Sequence, residues 1–247
     1  MPSKLYVVGI GPGAFQEMTP RALKALEDSD IIYGYRTYTE LIKGLFNEDK
    51  QIISSGMMSE EARCAAALAK AAEGNIVSIV SSGDPNVYGM ASLIVELNGG
   101  KDEIEIEVVS GITAATSGAA LLGAPLSSDF AVISLSDLLT PWELIEKRLR
   151  AAASADFAIV LYNPASTKRD THLARACSIV GEFYSPSTPC AIVRNIAREG
   201  EEALLFTLAE LSEAKADMFS TVFIGNSTTV TLGSHMLTPR GYHLKRQ

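Results

Sequence analysis

Three short apolar runs rich in β-branched residues each stop at a corner of glycine and small polar residues, and each then gives way to a helical pattern. The first, residues 5–10, runs into Gly9-Ile10-Gly11-Pro12-Gly13. The second, residues 76–82, ends at Ser82-Gly83-Asp84-Pro85. The third, residues 104–108, alternates Ile104, Ile106 and Val108 with Glu105 and Glu107, and ends at Ser110-Gly111-Ile112-Thr113-Ala114. Runs of this length suit strands, and the alternation in the third gives it one wet face. Strands that alternate with helices imply a mostly parallel sheet. The chain is therefore expected to be α/β.

Other signals fill in the pattern. Thr19 and Pro20 open a helix, as N-cap and first helical residue. Residues 31–33 and 51–54 are further strands, and Ser59-Glu60-Glu61 starts an Ala-rich helix that stops near Gly74. Residues 87–97 are predicted helical, closed by Asn98-Gly99-Gly100, and a small-residue helix runs to Leu122. Gly123-Ala124-Pro125-Leu126-Ser127-Ser128-Asp129 is the best linker candidate. It divides the chain into residues 1–125, with a mostly parallel sheet, and residues 126–247. The second part carries strands at 130–135, 157–162, 190–193, 204–207 and 221–224, helices at 141–153 and 171–180, and is expected to form a mixed sheet.

Composition removes several functions. The 47% hydrophobic content excludes a disordered chain, since disorder needs low hydrophobicity and high charge. No apolar run approaches the ~18 residues of a membrane span. The first residues lack a long apolar segment, so the chain is expected to be cytoplasmic. A net charge of −8 argues against a nucleic-acid binder, which would show a basic stripe. Cys64, Cys177 and Cys190 form no metal-binding spacing and no disulfide framework, and read as buried thiols. His172, His235 and His243 are too scattered for a metal cluster, so no metal ligand set is expected.

In open α/β sheets ligands bind beyond the carboxyl ends of the strands, and four such ends carry unusual turns: the three corners above and Tyr162-Asn163-Pro164. Each turn alone is also an ordinary tight turn. Their recurrence at one edge makes the case for a single ligand crevice. Gly9-x-Gly11-x-x-Ala14 formally fits a relaxed dinucleotide fingerprint, which keeps an NAD(P)-dependent oxidoreductase as the alternative. Against it, Asp30 begins its strand instead of ending it, and Pro12 has no N–H to offer a pyrophosphate. No phosphate-binding GxxxxGK[ST] loop occurs.

The three corners, with Asn86-Val87-Tyr88-Gly89 after the second, resemble the signature blocks of the tetrapyrrole methylases. Gly34-Tyr35-Arg36-Thr37-Tyr38, residues 123–126, residues 134–142, Tyr162-Asn163-Pro164 and Thr238-Pro239-Arg240-Gly241-Tyr242 are similar to one branch. That branch methylates precorrin-3B or cobalt-factor III at C-17, with ring contraction, in cobalamin biosynthesis; another target carbon stays open. The resemblance implies two α/β domains with a trough between them, a homodimer, and S-adenosylmethionine as methyl donor, leaving as S-adenosylhomocysteine. It implies that Pro12, Ser82, Gly83, Asp84, Val87, Thr113, Ala114 and Asn163, with Asn195 or Ile196, line the cofactor pocket. Asp84 and Tyr162 are the leading proton-transfer candidates, ahead of Tyr88, Asp129, Ser134, Asp137 and His172. The carboxylates of a tetrapyrrole need cationic partners, for which Arg36, Lys168, Arg169, Arg194 and Arg240 are the candidates.

Overall fold

The computed structural model describes residues 3–47, 50–166 and 169–242. They form two compact units, residues 1–113 and residues 114–247.

In the first unit the strands are β1 (Lys4–Gly9), β2 (Ile31–Tyr35), β3 (Gln51–Ser55), β4 (Ile76–Ser81) and β5 (Glu105–Val109). The helices are α1 (Pro20–Asp28), α2 (Arg36–Ile42), α3 (Glu60–Ala72) and α4 (Ala91–Asn98). The strands pair in parallel in the order β3-β2-β4-β1-β5. β1 and β4 are central, and Leu5, Val7, Val8, Val77, Ile79 and Val80 are fully buried. Each such side chain contributes roughly 1.5–3 kcal/mol of burial free energy.

The chain leaves β1 toward β2 in one direction along the sheet and leaves β4 toward β5 in the other. Right-handed crossovers then send the intervening helices to opposite faces. Packing agrees with this. Ala22, Ala25 and Leu26 of α1 and Ile42 of α2 pack with Val8, Ile32 and Val80. Cys64, Ala67 and Ala71 of α3 and Ala91 and Ile94 of α4 pack with Leu5, Val7, Val77 and Ile79. The neighbours β1 and β4 therefore part company at their carboxyl ends, which makes that edge the switch point of the sheet.

Thr19 caps α1 as expected: its hydroxyl accepts from the Ala22 amide at 3.1 Å. α4 begins at Ala91, later than the predicted residue 87. Residues 85–90 turn back so that the Ala91 amide donates to Pro85 O at 3.0 Å, and Tyr88 sits at φ 56°.

The second unit holds α5 (Ala114–Leu122), β6 (Gly123–Ala124), β7 (Phe130–Ser134), α6 (Trp142–Ser154), β8 (Ala158–Tyr162), α7 (His172–Val180), β9 (Pro189–Arg194), β10 (Glu202–Thr207), α8 (Leu208–Leu211), β11 (Ser220–Ile224), β12 (Val230–Leu232) and β13 (His235–Leu237). Its main sheet runs β10-β9-β11-β8-β7 and is mixed: β7 and β8 are parallel, and the other pairs are antiparallel. The carboxyl ends of β7, β8 and β9 lie at one edge.

The first unit ends at Thr113, ahead of the expected boundary at residues 125 and 126. The reason is α5. A Cβ on Gly118 would sit 2.9 Å from Phe223 Cζ and 3.0 Å from Ile196 Cδ1, so this helix lies close against the second sheet. Gly123 and Ala124, inside the expected linker, form β6 and pair with Met236 and Leu237 of β13.

Candidate active site

The three corners of the first unit meet at its switch point. Gly11 and Gly83 form a two-way backbone bridge: Gly11 N donates to Gly83 O at 3.2 Å, and Gly83 N donates to Gly11 O at 2.7 Å. Both take positive φ, 74° and 69°. The third corner presses on this bridge. A Cβ on Gly111 would lie 2.2 Å from Gly83 O, and one on Gly9 would lie 2.6 Å from the same oxygen. These are backbone collisions that no rotamer relieves, so glycine is required at both positions. The spacing of the three corners along the chain gave no sign that they touch.

Asp84 fastens the arrangement. Its Oδ2 accepts from the Gly111 amide at 3.0 Å and its Oδ1 from the Asn86 amide at 2.8 Å. One carboxylate thus links the loop after β4 to the loop after β5. Ser82 Oγ donates to Gly11 O at 3.4 Å. Pro12 is buried, while Val87 and Thr113 are partly exposed beside these corners in the chain.

The second unit has its own cluster at the ends of β7 and β8. The Ala115 amide donates to Tyr162 Oη at 2.7 Å, so the phenol caps the start of α5. Asn163 follows with φ 52°, and its Nδ2 donates to Ser134 Oγ at 2.9 Å. Asn195, with φ 51°, leaves the same edge from β9, one strand beyond β11. Its Nδ2 donates to Gly200 O at 3.3 Å. Asparagine tolerates the left-handed region, but a residue before proline is biased toward extended backbone, so neither Asn163-Pro164 nor the sequence around Asn195 announced these two corners.

Ala114 opens α5, which places the expected cofactor residues in both units: Pro12, Ser82, Gly83, Asp84, Val87 and Thr113 in the first, Ala114, Asn163 and Asn195 in the second. The structure joins Ser82, Gly83 and Asp84 to Gly11 and Gly111, and joins Tyr162 and Asn163 to α5 and β7.

Of the basic candidates, Arg36 is exposed at the start of α2, and Arg240 is exposed with its guanidinium 5.8 Å from the Tyr242 ring. Arg169 bonds Ser166 Oγ through Nε at 3.1 Å. Lys168 and His243 lie outside the described residues. Arg194 pairs with Asp217, Nε to Oδ2 at 2.8 Å. Asp129 precedes β7 and so lies at the edge opposite Ser134 and Tyr162, away from this cluster. Asp137 and His172 form a bonded pair, Nε2 to Oδ2 at 3.1 Å, which sequence spacing did not indicate.

Asp30 bears on the dinucleotide alternative. Its Oδ2 accepts from the Ile76 amide at 2.8 Å, at the amino ends of β2 and β4 and far from the glycine corners. The acid that would hold a ribose is thus on the wrong edge of the sheet.

Residues 4–212 match the model of the Tetrapyrrole (Corrin/Porphyrin) Methylases. The chain belongs to that family. As a tetrapyrrole methylase it is 48% identical over 241 residues to the "Probable cobalt-factor III C(17)-methyltransferase" of Salmonella typhimurium, covering 97% of this chain and 100% of that one. It is 46% identical over 250 residues to the "Cobalt-factor III methyltransferase" of Priestia megaterium, covering 99% of this chain but only 46% of that longer protein. The crystal structure of the methyltransferase CobJ superposes with a TM-score of 0.88 at 36% identity, over 95% of this chain and 99% of that one. No helix among the described residues is long and apolar enough to cross a membrane.

Proposed function

We infer that this tetrapyrrole methylase is an S-adenosylmethionine-dependent C-methyltransferase that methylates cobalt-factor III or precorrin-3B at C-17, with ring contraction, in cobalamin biosynthesis. One observation carries the reading: a chain similar end to end to the Salmonella protein of that name locks three glycine corners together at the switch point of a parallel sheet.

The residues at these corners suit the donor. Glycine and small side chains let a nucleoside approach the backbone, and Asp84 brings a carboxylate for hydroxyl or ammonium groups. Bound there, S-adenosylmethionine supplies the methyl group as an electrophile. The chain's task is then to hold donor and acceptor carbons in line, which is worth ~7–11 kcal/mol of barrier and needs no covalent nucleophile. Pro12, Ser82, Gly83, Asp84, Val87, Thr113, Ala114, Asn163 and Asn195 are proposed to hold the donor. Asp84 and Tyr162 are proposed for proton transfer. Each already serves the backbone, Asp84 bridging two loops and Tyr162 capping α5, so either would act from a fixed position. Arg36, Lys168, Arg169 and Arg240 are proposed to meet the carboxylates of the macrocycle. A cytoplasmic homodimer completes the reading.

The test is anaerobic incubation of the protein with cobalt-factor III and methyl-labelled S-adenosylmethionine. Label at C-17 of a ring-contracted product, located by NMR, is expected. Label at another carbon, or none in the macrocycle, would overturn the assignment.

A further inference from the structure

The loop between β7 and α6 is pinned at both ends and bare in the middle. At its start Leu135 is fully buried, and its amide donates to Tyr162 O at 2.9 Å. The Ser136 amide donates to Ser134 Oγ at 3.2 Å. At its end Trp142 is 9% exposed, with its ring edge-on to His172 at 4.8 Å and the Arg175 guanidinium 4.0 Å over it. Between these anchors Leu138 is 69% exposed and Leu139 98%. Two neighbouring leucines held in water on a fixed loop are unfavourable for the chain by itself.

Asp137 precedes them. His172, 7% exposed, directs Nε2–H at its carboxylate, which leaves Nδ1 as the bare nitrogen. Among the described residues, the buried side-chain nitrogens with no hydrogen-bond partner are Trp142 Nε1, His172 Nδ1 and Arg169 Nη1. All three belong to this corner, since Arg169 lies close enough to Asp137 to act on its charge. Folding normally pairs such atoms, and unpaired ones concentrate where binding matters more than stability.

We propose that residues 136–140 form a recognition element for the metal-free macrocycle, in which Asp137, aimed by His172, accepts a ring N–H of the tetrapyrrole and Leu138 and Leu139 lie against its flat apolar face. This rests on the tetrapyrrole substrate proposed above. The chemistry matches piece by piece: an apolar pair for a conjugated ring, an anionic acceptor for its N–H groups. A second copy of the chain fits less well. Two leucines fall far short of the roughly 800 Å² per partner that a stable protein interface buries. A carboxylate beside them is also out of place at an interface core. Asp137 is thus the contact and His172 the positioning residue behind it.

Absorbance titration of metal-free precorrin-3B, whose ring nitrogens still carry N–H groups, into the full chain reads the Kd directly, without turnover. Calorimetry with S-adenosylhomocysteine and thermal melts serve as controls. D137N and L139S are each expected to raise the macrocycle Kd about tenfold, the weight of one good contact, with the S-adenosylhomocysteine Kd unchanged. H172A should match D137N, H172Q should restore most of the affinity because its amide can still donate, and D137N/H172A should be no worse than D137N alone. An unchanged macrocycle Kd in D137N and L139S would overturn the inference. So would a change of oligomeric state in L139S at constant Kd, which would assign the leucines to self-association. Wild-type protein that binds the macrocycle in this way but does not methylate it would overturn only the function proposed above. Failure of wild type to bind it would overturn both.

Discussion

Gly111 shows how much one missing Cβ decides. A methyl there would stand 2.2 Å from Gly83 O, so Gly111→Ala must push two corners apart. Overpacking of this kind costs about 1–3 kcal/mol, which a thermal melt reads as a lowered Tm. S-adenosylhomocysteine binding by calorimetry should weaken in the same variant. Gly56, which has nothing within 4 Å of an added Cβ, is the control: Gly56→Ala should leave both quantities nearly unchanged. Asp84 works by charge and by position at once. In Asp84→Asn one oxygen becomes an amide NH2 donor that faces a backbone N–H, so one of the two backbone bonds is lost. The expected cost is ~1–3 kcal/mol by denaturant titration. A variant as stable as wild type would show that the carboxylate does not hold the corners together.

Between elements, the edge strand β5 is tied to β1 by charge. Lys4 Nζ lies 2.7 Å from Glu105 Oε1 and 2.8 Å from Glu107 Oε2, and Arg21 reaches Glu107 from α1 at 2.8 Å. Hydrogen bonds from Lys4 and then Arg21 hold the Glu107 carboxyl below its ordinary value of 4.5. A depressed carboxylate adds stability above the unfolded-state value and loses it as pH falls through the folded one. Wild type should therefore exceed Glu107→Gln in Tm at pH 7, and the gap should close as pH falls below about 4.5. A gap independent of pH would show that the pairing contributes nothing.

Much at this scale was legible beforehand. β1 and β4 were plain because buried parallel strands carry long β-branched runs, β5 because its apolar residues alternate with glutamates, and α1 because Thr19 and Pro20 announce it. α2 was not seen. Gly34 looked like the end of β2, yet it lies inside that strand because a Cβ there would meet Val80 Cγ2 at 2.6 Å and Thr39 Cγ2 at 2.7 Å. β6, β12 and β13 have two or three residues each, too few for any periodicity. At the site, the corners were visible one by one. Their mutual contact, the Asp84 bridge and the Asp137–His172 pair were not, because all depend on strand order, which local pattern does not encode.

For the molecule as a whole, the two units each bury their own core, and the thiols report on both. Burial pushes Cys64 up to about 11 and Cys177 up to about 12, and raises Cys190 further. Such thiols carry almost no thiolate at neutral pH. A disulfide reagent should therefore label none of the three in the native protein, and all three once denaturant opens both units. Labelling of Cys64 alone at intermediate denaturant would show that the first unit opens first. A thiol that reacts in native buffer would contradict the packing described.

The claim on which the rest stands is that the interlocked corners of the first unit receive the methyl donor. A crystal structure of this protein with S-adenosylhomocysteine tests it most directly. The ligand is expected against Gly11, Gly83, Asp84 and Gly111. Clear density on any other face, with these corners bare, would contradict it.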